Sequence, residues 1–128
     1  MKDRFRFRAW DKEIKAFITD AEFLSFFTIG DINIDDKYVL MQCTGIKDRN
    51  GKLIYEYDVV RFGQEDEDIG IIMWNEDECK FVINEEFNKS LSDFSNWYGE
   101  DLEILGNIFE HDFFGKDTID WLKATNIL

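Results

Sequence analysis

Residues 4–10 alternate strictly, with Phe5, Phe7 and Ala9 on one side and Arg4, Arg6, Arg8 and Trp10 on the other. That period of two is the mark of a half-buried strand. Asp11-Lys12-Glu13 is polar enough to turn the chain, and Ile14 to Ile18 can return as a second strand. Thr19-Asp20-Ala21-Glu22 has capping-box spacing, in which two side chains satisfy two orphan backbone donors. Phe23, Leu24 and Phe27 follow at helical intervals before Gly30, so a short helix is predicted over about 20–28. Asp31 to Lys37 reads as an acidic loop.

Beyond it the strand pattern is cleaner. Val39 to Cys43 is a strand run, and Asp48-Arg49-Asn50-Gly51 is a reversal, because Asn-Gly adopts positive φ at little cost. Leu53 to Phe62 reads as one strand, followed by the acidic run Glu65-Asp66-Glu67-Asp68, expected to be mobile and dispensable for folding. Ile69–Trp74 and Cys79–Asn84 form a second hairpin about Asn75-Glu76-Asp77-Glu78. Phe87, Leu91, Phe94 and Tyr98 share one helical face, which predicts a helix over about 85–97 closed by Gly99. Leu102 to Phe109 returns to strand character, and Ile119, Trp121 and Leu122 suggest a terminal helix near 117–125. The core expected from this pattern contains Phe7, Leu40, Ile54, Val59, Ile71, Val82, Ile104 and Ile108.

The fold class expected is mainly β with short helices. Three portions are distinguished: an N-terminal strand and helix extension (1–38), a β unit (39–112) and a helical tail (113–128). A chain of 128 residues with 45% hydrophobic and 16% aromatic content has the material for a packed core, which disordered segments lack. Thirteen phenylalanines are more than one compact core needs, which suggests an apolar surface shared with a partner or a second copy.

The net charge of −13 is uneven: residues 1–15 carry six bases and three acids, whereas residues 64–88 carry nine acids and one base. So acidic a chain is repelled by nucleic-acid phosphates, and duplex DNA binding is not expected. Neither a secretory leader nor a membrane-length apolar stretch is evident. Cys43 and Cys79 lack metal or redox spacing, so both are expected to be buried, reduced thiols of a host-cell cytoplasmic protein.

The stretch from Leu40 to Glu56, LMQCTGIKDRNGKLIYE, resembles the signature of the YopX proteins of phages and prophages. That family reads Leu-Met-Gln-aromatic-Thr-Gly-Leu-Lys-Asp-x-x-Gly, then Ile-Tyr-Glu-Gly-Asp and a valine-rich strand. Phe7-Arg8-Ala9-Trp10-Asp11 is similar to the family's N-terminal strand, and Leu102 to Glu110 to its closing strand. Two positions depart: the aromatic after Gln42 is Cys43, and the glycine before Asp58 is Tyr57, where positive φ would carry a cost. The resemblance implies a small SH3-like barrel over about 39–112 with an N-terminal strand-rich extension, and it brings no functional residues with it.

The residues themselves suggest no catalytic site. His111 stands alone between Glu110 and Asp112, and there is no nucleophile elbow, Cys-x-x-Cys, paired-histidine motif or glycine-rich phosphate loop. The acidic run 65–68 lacks the order of a calcium loop. Asp58 is explained as a turn acid that accepts backbone N–H groups. The chain is therefore expected to be non-enzymatic, without cofactor or metal. Tyr55, Tyr57, Trp74, Trp97 and Tyr98 are the candidate partner-binding residues, since small β barrels offer aromatic platforms to peptides or single strands. The reading favoured is a phage accessory protein that binds an unidentified host or phage protein. One alternative is an acidic mimic of nucleic acid that inhibits a host defence enzyme. Another is a direct nucleic-acid binder working through the arginines of residues 4–8.

Overall fold

The computed structural model describes residues 6–18, 37–62, 68–84, 91–93 and 102–111, together with Asp120, Lys123 and Ala124. The predicted helix at 20–28 and the acidic residues 65–67 lie outside the described residues. Asp120, Lys123 and Ala124 are helical, within the span predicted for a terminal helix.

Most of the other described residues are in strands. The strands are β1 (Phe7–Asp11), β2 (Ala16–Phe17), β3 (Tyr38–Lys47), β4 (Leu53–Tyr55), β5 (Asp58–Phe62), β6 (Asp68–Asn75), β7 (Lys80–Asn84), β8 (Leu91–Asp93) and β9 (Glu103–Asn107). All pairings are antiparallel. They build a sheet of order β2-β1-β3-β4 and a sheet of order β8-β7-β6-β5-β9. The curled sheet makes a mainly β small barrel, as the apolar alternation implies.

Strand β3 is long because it serves two partners. Its first half pairs with β1, with Ala9 opposite Leu40, and its second half pairs with β4, with Cys43 opposite Tyr55. Strands β1 and β2 therefore belong to the same sheet as β3. The main core lies where β4 closes over the five-stranded sheet and holds Ile54, Val60, Phe62, Ile72, Ile83 and Leu102, all buried. Val59, Ile71 and Val82, on the opposite face of the central strands, are buried as well. Burial on both faces explains why β5 to β7 read as near-continuous apolar runs rather than clean alternations. Of the expected core, Ile54, Val59, Ile71, Val82 and Ile108 are buried, whereas Phe7, Leu40 and Ile104 are half-buried.

Both predicted reversals are present, and side-chain acceptors hold each of them. Asp48 Oδ1 accepts the backbone N–H groups of Asn50 and Lys52, both at 2.9 Å, while Oδ2 accepts that of Ile104 at 3.0 Å. The buried Asp48 carboxylate thus fixes its own turn and ties that turn to β9. Burial opposes its charge, but the three N–H donors and Lys52 outweigh burial and hold its carboxyl below the ordinary value.

Three expectations need correction. Leu91–Asp93 is an edge strand and not part of a helix: Val82, Ile83 and Asn84 pair with Asp93, Ser92 and Leu91. The open edge of β7 offers backbone donors and acceptors that a helix could not satisfy, and this outweighs the helical spacing of the apolar residues. The run 53–62 is two strands, broken at Glu56–Tyr57. Cys79 is exposed, because the second turn occupies 76–79 and takes Cys79 into it at φ 54°; Cys43 is buried, and neither cysteine forms a disulfide.

Candidate functional site

The break in 53–62 is where the chain leaves one sheet for the other. Strand β4 belongs to the four-stranded sheet and β5 to the five-stranded one, so the backbone must turn sharply between them. Tyr57 makes the turn at φ 68°, in the left-handed region that costs a non-glycine residue about 1–2 kcal/mol. Its N–H donates to the carbonyl of Ile72 at 2.7 Å, and its carbonyl accepts the N–H of Ile108 at 3.2 Å. The strained residue is therefore clamped by strand β6 and the segment that follows β9.

Beneath this corner lies an ion pair. Arg8 Nη2 donates to Asp58 Oδ1 at 2.7 Å and to the carbonyl of Glu56 at 3.2 Å, and Nε reaches Met41 Sδ at 3.4 Å. The guanidinium sits 4.9 Å from the ring centre of Phe17 and 4.8 Å from that of Tyr55, within cation–π range. The Arg8 side chain is 20% exposed and that of Asp58 only 3%. Asp58 Oδ2 also accepts the Tyr55 N–H at 2.8 Å, which is the turn role expected for this acid. Burial is the larger influence on Asp58 and keeps its carboxyl above the ordinary value even with Arg8 alongside. Glu56 is raised too, by burial, although Gln42 N–H donates to its Oε1 and Arg8 lies near.

An aromatic group surrounds the pair. Trp10 stacks on Phe109 at 5.3 Å and meets Phe17 edge-on at 5.0 Å, and Tyr57 meets Phe109 edge-on at 5.9 Å. Burial, then Glu56, pushes the Tyr57 hydroxyl up to about 12. The cluster has two carboxylates and a guanidinium, but each is engaged by its neighbours. This is a joint between β1, β2 and the barrel, well suited to holding the parts in register.

The second aromatic feature is open to solvent. Trp74, near the end of β6, is 42% exposed and packs edge-on against Phe81 of β7 at 5.0 Å. Beyond it the turn carries Glu76, Asp77 and Glu78, all exposed. Asn75 Oδ1 accepts the Glu78 N–H at 3.1 Å, and Cys79 Sγ lies 3.4 Å from the Glu76 carbonyl, so the tip is internally braced.

A family model described as YopX protein matches residues 25–112, which spans β3 to β9. The chain belongs to the YopX family. It is also similar to the crystal structure of protein EF1440 from Enterococcus faecalis, with a TM-score of 0.51 and 24% identity over 82% of this chain and 93% of that one. At that identity the likeness concerns the fold alone. No curated protein matches.

Within this YopX-family chain the five candidate aromatics do not form one described platform. Tyr55 packs under Arg8, Tyr57 against Phe109, and Trp74 stands at the far hairpin; Trp97 and Tyr98 lie outside the described residues. His111 is exposed, and its Nδ1 accepts the Asn107 N–H at 3.4 Å. Among the described residues no group of three or more His, Cys, Asp or Glu could hold a metal ion, and no helix is long and apolar enough to cross a membrane. The arginine face of residues 4–10 reads as one that pairs with acids of its own chain, and Arg8 does so, but its partner Asp58 and its place at the centre of the joint were missed. The signal was present: Arg8 and Asp58 both sit in family-like motifs on strands rich in buried residues, where a charge needs a partner.

Proposed function

We propose that this YopX-family protein is a non-catalytic phage or prophage accessory protein that binds another protein through its β6–β7 hairpin. The exposed Trp74, packed against Phe81 near the end of β6 and next to a turn held by Asn75, carries this reading. A large ring costs little conformational entropy on binding, and tryptophan is enriched where binding energy concentrates. The non-catalytic part is supported by the occupation of the reactive groups: Asp48 by three backbone donors, and Asp58 by Arg8 and Tyr55. The nucleic-acid alternative is weakened, because Arg8 is committed to Asp58 and cannot release a full share of phosphate counterions.

Affinity capture from lysate of a host carrying the prophage, with the native protein and Trp74→Ser as parallel baits, tests the reading. At least one protein should be retained by the native bait and lost with the variant. Identical captured sets would refute the hairpin as the binding face.

A further inference from the structure

The hairpin that carries Trp74 has a chemical bias of its own. One residue beyond the exposed ring, past Asn75, the turn carries three exposed carboxylates, Glu76, Asp77 and Glu78. Within the segment the opposing charge is Lys80, 3.5 Å from Glu78. The turn lies inside the most acidic part of the chain, residues 64–88, with nine acids against one base. An aromatic face beside carboxylates matches one side chain closely. A guanidinium is planar and weakly hydrated, so it stacks on an indole while its N–H fork pairs with a carboxylate. The same arrangement exists inside this molecule, where Arg8 lies over Tyr55 and Phe17 while it binds Asp58.

From this charge complementarity we propose that the β6–β7 hairpin tip docks an arginine-bearing basic segment of a partner protein, with a guanidinium on Trp74 and the turn carboxylates as counter-ions. The proposal rests on the protein-binding reading and adds the chemistry of the partner. An ammonium group would gain the charge attraction but less of the stacking, so arginine should be preferred to lysine. Because Asn75 fixes the turn, the site needs little ordering on binding.

The test is a titration of the full chain, followed by NMR, with two capped peptides of equal length and charge, one alternating arginine with glycine and the other lysine with glycine. The Trp74 indole N–H resonance is assigned by its disappearance in Trp74→Ser. The arginine peptide should shift that resonance and bind about two- to fivefold more tightly than the lysine peptide, the factor expected of one exposed stacking contact. Trp74→Ser should erase that preference. E76Q/D77N/E78Q should weaken both peptides while sparing the fold, checked by unchanged backbone resonances of β5 and β9.

Equal affinity for the two peptides with an unmoved Trp74 resonance would overturn the proposal, since it would mark diffuse charge attraction only. Self-association that Trp74→Ser abolishes, and that the arginine peptide does not displace, would also overturn it and make a second copy the occupant. If host-protein capture depends on Trp74 but the arginine peptide does not bind, the partner chemistry is wrong while the docking reading stands.

Discussion

Replacing Arg8 by methionine removes the charge at the joint and keeps most of the aliphatic stem. With the guanidinium go the 2.7 Å bond to Asp58, the 3.2 Å bond to the Glu56 carbonyl, and the stacking over the rings of Phe17 and Tyr55. A hydrogen bond between charged groups contributes about 1.5–3 kcal/mol, and each ring interaction about 0.5–1 kcal/mol. The larger effect is on what remains. Asp58, almost wholly buried, would keep a carboxylate without its counter-charge, and breaking a buried pair from one side costs about 3–5 kcal/mol. Arg8 is 20% exposed, so water can reach part of the vacated space, and the lower end applies: about 3 kcal/mol.

Urea unfolding at pH 7 measures that loss, and the pH dependence identifies its source. Burial already raises the Asp58 carboxyl, and losing Arg8 raises it further. The folded state then binds a proton more readily than the unfolded chain, so this group's contribution to stability falls as pH rises. The Arg8→Met deficit should accordingly shrink as pH is lowered toward the ordinary aspartate value of 3.8. Adding Asp58→Asn should recover part of the loss, with a coupling above about 1 kcal/mol, because the orphaned charge is gone. A deficit below about 1 kcal/mol, or energies additive within about 0.5 kcal/mol, would show that the pair does not hold the joint.

At the strained corner, Tyr57→Gly relieves the left-handed backbone and Tyr57→Ala does not, although both lose the ring against Phe109. Alanine should therefore be the less stable of the two by about 1 kcal/mol in urea unfolding, and equal stabilities would deny the strain. Gly70 has no room for a side chain: an added Cβ would lie 2.5 Å from Ile83 Cγ2 and 2.8 Å from the Asn84 carbonyl oxygen. Gly70→Ala should cost about 1–3 kcal/mol by forcing β6 from β7, and a thermal midpoint equal to that of the native protein would contradict this. Glu56 is held above its ordinary value of 4.5 by burial, so its charge detracts from stability as pH rises through that raised value. Glu56→Gln, which can still accept the Gln42 N–H, should raise the urea midpoint at pH 7 and lose that advantage below pH 4.5; an advantage unchanged from pH 4 to 8 would contradict the assignment.

Much of the barrel was legible in the chain because hairpins are local. The Asp48–Gly51 and 75–78 reversals, the period-two alternation of residues 4–10 and the apolar runs of β3, β5, β6 and β7 depend on neighbours a few residues apart. The family signature is equally local, since it lies along one hairpin and the strand after it. Three things were decided only in three dimensions. Leu91–Asp93 obeys helical spacing, yet it became a strand because β7 presents an open edge, and no window around residue 91 reveals an edge made at residues 82–84. The break at Tyr57 follows from closure: one chain must supply a strand to each sheet, so the backbone takes a conformation that tyrosine disfavours, and Ile72 and Ile108 clamp it there. Arg8 and Asp58 are 50 positions apart, and taken alone the first reads as one arginine of a strand face and the second as a turn acid. Only the pairing of β1 with β3 and of β3 with β4 brings them together, so the alternating arginines mark a strand in the sequence, but its charge acquires meaning from a partner that the fold delivers.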